Sequence, residues 1–115
     1  MVEKARSTAI SPPGWPKEAD KWNYAYAKLL EIRRQAGEII HWWYEPFSIW
    51  LPGGVRFKPD YMVWEANNTI TIVEVKGWSK NLRDGKARYK IAASLFPCWT
   101  WKMVTKKSNQ WEEMT

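Results

Sequence analysis

Three clusters of chain-breaking residues decide how this chain can fold. Pro52-Gly-Gly54, the turn at residues 65–68 and Pro97 divide it into segments with different apolar periods. Residues 17 to about 36 set Trp22, Tyr26, Leu29, Leu30 and the stem of Arg33 at helical spacing, with Pro16 at the first helical position and Gly37 as C-terminal cap. Residues 39 to about 51 are rich in β-branched and aromatic side chains and predict a strand, with Pro46 marking a bulge or an edge. Residues 55–64 and 69–75 predict two more strands, and 80–95 return to a helical alternation of basic and apolar positions. Residues 98–105 read as a last strand. The expected order is α-β-β-β-α-β, an α/β fold with a mixed sheet flanked by helices. A chain of 115 residues has room for one core. We assign it to 17–107, between an N-terminal tail, 1–16, ending in Ser11-Pro-Pro-Gly-Trp-Pro16, and a polar tail at 108–115.

Composition narrows the chemistry. One cysteine, Cys98, forbids an internal disulfide and multi-cysteine zinc sites, and one histidine, His41, removes histidine-cluster sites. Any metal must then be held mostly by oxygen, which points to Mg2+ or Mn2+. Cys98 is expected in the core, and His41 as a packed or surface strand residue. No apolar run approaches the ~20 residues of a membrane span, and the first residues lack a stretch of signal-peptide length. A cytoplasmic protein without a membrane partner is expected. Residues 76–107 hold seven lysines, two arginines and one aspartate, a local charge of +8 against +6 for the whole chain. Charge so gathered suits a polyanionic partner, nucleic acid first. Ten tryptophans are more than one core needs, and Trp42 and Trp43, neighbours in a strand, must face opposite ways. One of them is left for a partner or a base.

The third strand ends Val73-Glu-Val-Lys-Gly77, so Glu74 and Lys76 share one face while Val73 and Val75 share the other. A hairpin turn centred near Asn67 makes the numbers of facing residues sum to about 134. That register sets Asp60, preceded by Pro59, opposite Glu74. Two carboxylates at such range repel unless a cation lies between them, and a lysine beside them can steady an attacking water or a developing negative charge.

Pro59-Asp60 followed by Glu74-Val-Lys76 resembles the PD-(D/E)XK nuclease superfamily. Within it the chain is similar to small phage proteins of the endonuclease I-type Holliday junction resolvases. The similar stretches are Leu30-Glu-Ile-Arg-Arg-Gln-Ala-Gly-Glu-Ile39, Phe57-Lys-Pro-Asp-Tyr-Met-Val63, Val73-Glu-Val-Lys-Gly77 and Lys90-Ile-Ala-Ala-Ser-Leu-Phe-Pro97, spanning roughly 22–105. The resemblance implies a restriction-endonuclease-like core and a DNA endonuclease that hydrolyses phosphodiester bonds with Mg2+ or Mn2+ and no organic cofactor. Asp60 and Glu74 would bind metal, the Val75 carbonyl would assist, and Lys76 would be the catalytic lysine. The family sets a glutamate in the first helix where this chain has Asn23, so the metal set would draw on Asn23 or on Asp20, with Glu18 and Glu31 as further stand-ins. Lys80, Arg83, Lys86, Arg88 and Lys90 would meet DNA phosphates, Arg88 lying off the stripe formed by Arg83, Lys86 and Lys90. Branched DNA as substrate follows from the same resemblance; two symmetric cuts in one junction call for a homodimer, and in the related resolvases the dimer is intertwined. A non-catalytic DNA-binding module of this fold is the alternative that Asn23 favours, and a structural interaction protein would explain the aromatic surplus alone.

Overall fold

A computed structural model of the protein describes residues 14–77 and 82–114. Helix α1 (Lys21–Gln35) starts later than the sequence predicts. Pro16 is not its first residue, because the carboxylate of Asp20 accepts from the Asn23 N–H at 3.4 Å and so caps the helix. A side-chain oxygen there satisfies a donor that the helix itself leaves free, and residues 17–20 are spent on a turn closed by the Asp20 N–H on the Lys17 carbonyl. The helix ends as expected. Gly37, at φ +80°, follows the capping Ala36 and donates to the Arg34 carbonyl, and Glu38 donates to that of Arg33. This paired closure needs the left-handed backbone that glycine adopts without strain.

Among the described residues the strands that follow are β1 (Ile39–Tyr44), β2 (Ile49–Leu51), β3 (Val55–Phe57), β4 (Tyr61–Glu65), β5 (Ile70–Val75), β6 (Thr100–Lys107) and β7 (Gln110–Glu113), with helix α2 (Leu82–Leu95) between β5 and β6. The main sheet has the order β1-β4-β5-β6-β7 and is mixed, antiparallel except where β6 runs parallel to β5. This is the α/β class predicted, with two departures. The expected strands 39–51 and 55–64 are each cut in two. Glu45 sits at φ +48° before Pro46, and Pro59 has no N–H to give a ladder. The flanking pieces, β1 and β4, pair within the main sheet, and the pieces beside the turn, β2 and β3, form a separate hairpin. The other departure is β7. Residues expected as tail return along β6 through Ser108 and Asn109, both at positive φ, the pattern of a tight two-residue turn.

Two clusters pack against the sheet. Tyr26, Ala27 and Leu30 of α1 lie with Trp42, Tyr61, Val63, Val73, Val75 and Val104, and burial of each leucine or valine among them is worth ~1.5–3 kcal/mol. Trp15 packs onto this cluster and Pro16 is fully buried, so the fold reaches back beyond the predicted boundary at residue 17. The second cluster joins Ile49, Leu51 and Phe57 of the hairpin to Ala92 of α2, with Trp99 and Trp101 around it. Trp42 is 6% exposed and Trp43 is 37% exposed, facing opposite ways as their alternation requires. Cys98 is exposed, not in the core, because it falls in the turn after α2 and not in β6. Among the described residues no helix is long and apolar enough to cross a membrane.

Candidate metal centre

Strands β4 and β5 pair Tyr61 with Val73, Met62 with Ile72, Val63 with Thr71 and Trp64 with Ile70, the register predicted from the turn. One step past the ladder, Asp60 meets Glu74. The Asp60 N–H donates to Glu74 Oε1 at 3.2 Å, and the Val75 N–H donates to Asp60 Oδ2 at 2.8 Å. Lys76 Nζ lies 3.1 Å from Glu74 Oε2. Asp60, Glu74, Val75 and Lys76 thus come together at the ends of two strands, with Val75 engaged here through its N–H.

Burial dominates the electrostatics. Glu74 is 8% exposed. Desolvation pushes the Asp60 carboxyl well above the usual carboxylate range, and the neighbouring Glu74 charge pushes the same way, against the Val75 N–H and Lys76. Lys76 touches Glu74 and acts on Asp60 only through its field. The oxygen donors of this pair fit a hard divalent cation, which would favour the charged form of both carboxyls.

Two glycines that sequence reading passed over shape the centre. A β-carbon on Gly85 would collide with Lys76 Nζ and stand 3.1 Å from its Cε. Helix α2 therefore crosses directly over the lysine, and the bare backbone of Gly85 leaves room for the ammonium. Glycine inside a helix costs roughly 1 kcal/mol relative to alanine, so a lone glycine within a helical pattern was the available signal. At the exit of β5, a β-carbon on Gly77 would lie 2.7 Å from the Trp22 indole nitrogen, bringing α1 against the same strand.

The N-terminus of α1 approaches from its own side. Tyr61 donates its hydroxyl to the Asn23 carbonyl at 2.6 Å. Burial raises the pKa of Tyr61, and Asp60, Tyr44 and Asp20 add to it, so both aspartates act on one ring. Asp20 itself is exposed and committed to capping; its Oδ2 holds the Asn23 amide nitrogen at 3.0 Å. The amide oxygen of Asn23 is buried and has no hydrogen-bond partner. Among the described residues no group of three or more His, Cys, Asp or Glu side chains is arranged to hold a metal, so Asp20 is not gathered with Asp60 and Glu74. Glu18 is exposed in the turn before the helix. Glu31 belongs elsewhere: Arg34 and the Trp42 indole, 2.9 and 3.1 Å away, hold its carboxyl down at about 2.

On α2, Lys86 is half-buried and Arg88 and Lys90 are exposed. Lys80 and the side chain of Arg83 lie outside the described residues. His41 is exposed and sits edge-on to Trp43, its ring centroid 4.7 Å away. Comparison with family models, with curated proteins and with solved structures returns no match for this chain.

Proposed function

We propose that the protein is a metal-dependent DNA endonuclease of the phage junction-resolving type, built on a restriction-endonuclease-like core and acting on branched DNA in the cytoplasm. The observation that carries this reading is half-buried Asp60 joined to buried Glu74, with the Lys76 ammonium on Glu74. Asp60 and Glu74 would hold Mg2+ or Mn2+, and the unpartnered Asn23 amide oxygen is the uncharged donor nearest in kind. A bound ion would supply Lewis-acid stabilisation of the phosphoryl oxygens and a more acidic water. The chain's own residues do the rest. Val75 fixes one Asp60 oxygen through its N–H, and Lys76 offers an ammonium to negative charge that develops on the phosphate. Lys86, Arg88 and Lys90, with Lys80 and Arg83, would position the flanking phosphates.

Two cuts in one junction need two centres, so we propose a homodimer. Strand β1 is an edge of the main sheet and exposes Ile40 and Trp43, which gives a second copy an apolar border to cover. Light scattering at micromolar concentration should give twice 13.6 kDa; a mass at the single-chain value, alone and with a junction, removes the dimer.

The second reading, a DNA-binding module without catalysis, is favoured by Asn23, which brings no charge, and by Asp20, which is spent on the helix cap. One experiment separates the two. Plasmid, linear duplex and four-way junction are incubated with and without Mg2+ or Mn2+, beside Asp60→Asn and Glu74→Gln. We expect metal-dependent cleavage of the junction, and its loss in both variants with DNA binding kept. Full cleavage by either variant would overturn the site, and binding without cleavage by the unaltered protein would establish the module.

A further inference from the structure

The β2–β3 hairpin carries a feature that neither the core nor the metal centre uses. Ile49, Leu51 and Phe57 face inward onto α2, so period-two alternation turns Trp50 and Arg56 to the opposite side. These two stand directly across from one another in the ladder. Trp50 is 69% exposed, the highest value among the large hydrophobic side chains described, and the Arg56 guanidinium lies 5.8 Å from the centroid of its ring. An indole in water adds nothing to folding here, and the arginine beside it keeps the ring oriented through a cation–π contact. Lys58, just past the end of β3, has its side chain 49% exposed and pairs with Glu45 at 3.7 Å. Asp60 follows two residues later. The chain from Arg56 to Asp60 can span at most about 13 Å.

We propose that the outer face of this hairpin binds an unpaired nucleotide, Trp50 stacking on its base while Arg56 and Lys58 hold adjacent phosphates. This rests on the DNA reading above and specifies which part of the DNA is gripped. A flat π-face between cations suits a base on a polyanionic backbone. A fully paired duplex hides its base faces within the stack, so the occupant is an unpaired base such as a branch point or a flap exposes. A protein partner fits less well. Within the two strands no other apolar side chain shares the face of Trp50, because Val55 pairs with Leu51 and takes the inward parity, and each strand has three residues, whereas stable protein interfaces bury ~800 Å² per partner. The short path from Arg56 through Lys58 to Asp60 would then set the cleaved bond a nucleotide or two from the stacked base.

The test measures binding in EDTA, so that it does not depend on cleavage. Labelled duplexes with a short single-stranded flap, and blunt duplexes of the same length, are titrated with the unaltered chain, Trp50→Ala, Trp50→Phe and Arg56→Ala. Circular dichroism checks the fold of each variant. Trp50→Ala should weaken flap binding roughly tenfold and leave blunt-duplex binding unchanged, with Trp50→Phe keeping most of the affinity. Arg56→Ala should reduce the slope of log affinity against log salt by ~0.7 on the flap. Equal flap affinity for Trp50→Ala and the unaltered chain overturns the proposal, as does an equal loss on both DNAs. Loss of self-association in Trp50→Ala, seen by light scattering, also overturns it by making the face a protein contact. Failure of the unaltered chain to bind either DNA ends both readings. Trp50-dependent flap binding by a chain that never cleaves would keep this inference and end the nuclease reading, and cleavage with Trp50-independent binding would do the reverse.

Discussion

At the scale of single residues, Gly85 makes the sharpest prediction. It sits inside α2, where alanine is the better helix former by up to ~1 kcal/mol. Its missing side chain is filled by the end of Lys76, a flexible group that can give way at little cost. Gly85→Ala should therefore leave the melting temperature unchanged or raise it by a few degrees. The same methyl should drive Lys76 away from Glu74 and slow cleavage at least tenfold at unchanged DNA affinity. A variant that melts several degrees lower would mean that the close approach serves packing instead. The glycine was visible in the sequence as a local fault in a helical pattern. Its purpose was not, because the partner lies nine positions earlier, just past the end of β5, and only the fold brings the two together. Asp60, Glu74 and Lys76 were legible for the opposite reason: one turn and the period of two determine their register.

At the scale of elements, α1 is tied to β1 by a link the sequence did not show. Glu31 takes the Arg34 guanidinium on its own helix and the Trp42 indole N–H on the strand, and these bonds hold its carboxyl down at about 2. An acid whose folded value lies below its ordinary 4.5 binds fewer protons folded than unfolded, so its stabilising effect is complete above ~4.5 and fades as pH falls toward 2. Glu31→Gln should thus be less stable than the unaltered protein at pH 7 in urea melts. The gap should close between pH 4.5 and about 2. A gap of constant size at all pH values would show that shape and hydrogen bonding, and not charge, make the link. Elements bounded by glycine or by a clear change of period were found, as with Gly37 and the turn at 65–68. Those that end on a strained or donor-less backbone were merged with their neighbours, because Glu45 at positive φ and Pro59 interrupt a run whose composition continues to read as strand. Strand β7 went unseen because Asn109 performs in a tight turn what glycine more often does.

At the scale of the whole molecule, the two clusters differ in how they are held. Tyr61, Val63 and Val73, each at most 1% exposed, lie in the middle of a five-stranded sheet under α1. The hairpin has three residues per strand and is fixed through Ile49, Leu51 and Phe57 on α2. A two-stranded hairpin is marginal alone and depends on such packing, so it should open more readily than the sheet. Hydrogen exchange should therefore find amides of β4 and β5 protected close to the global limit and those of β2 and β3 well below it. Leu51→Ala removes a buried side chain at 4% exposure from the smaller cluster. It should bring the hairpin amides near full exchange while β4 and β5 keep most of their protection. Ile72→Ala, at 0% exposure beneath the main sheet, should cost ~2–5 kcal/mol and lower protection everywhere. A uniform loss in Leu51→Ala would make the two clusters one cooperative unit. The separation bears on the proposed nucleotide contact, because residues 58–60, outside either strand, join the hairpin to Asp60. If the hairpin opens on its own as expected, it would take up an unpaired nucleotide without disturbing the register that holds the two carboxyl groups together.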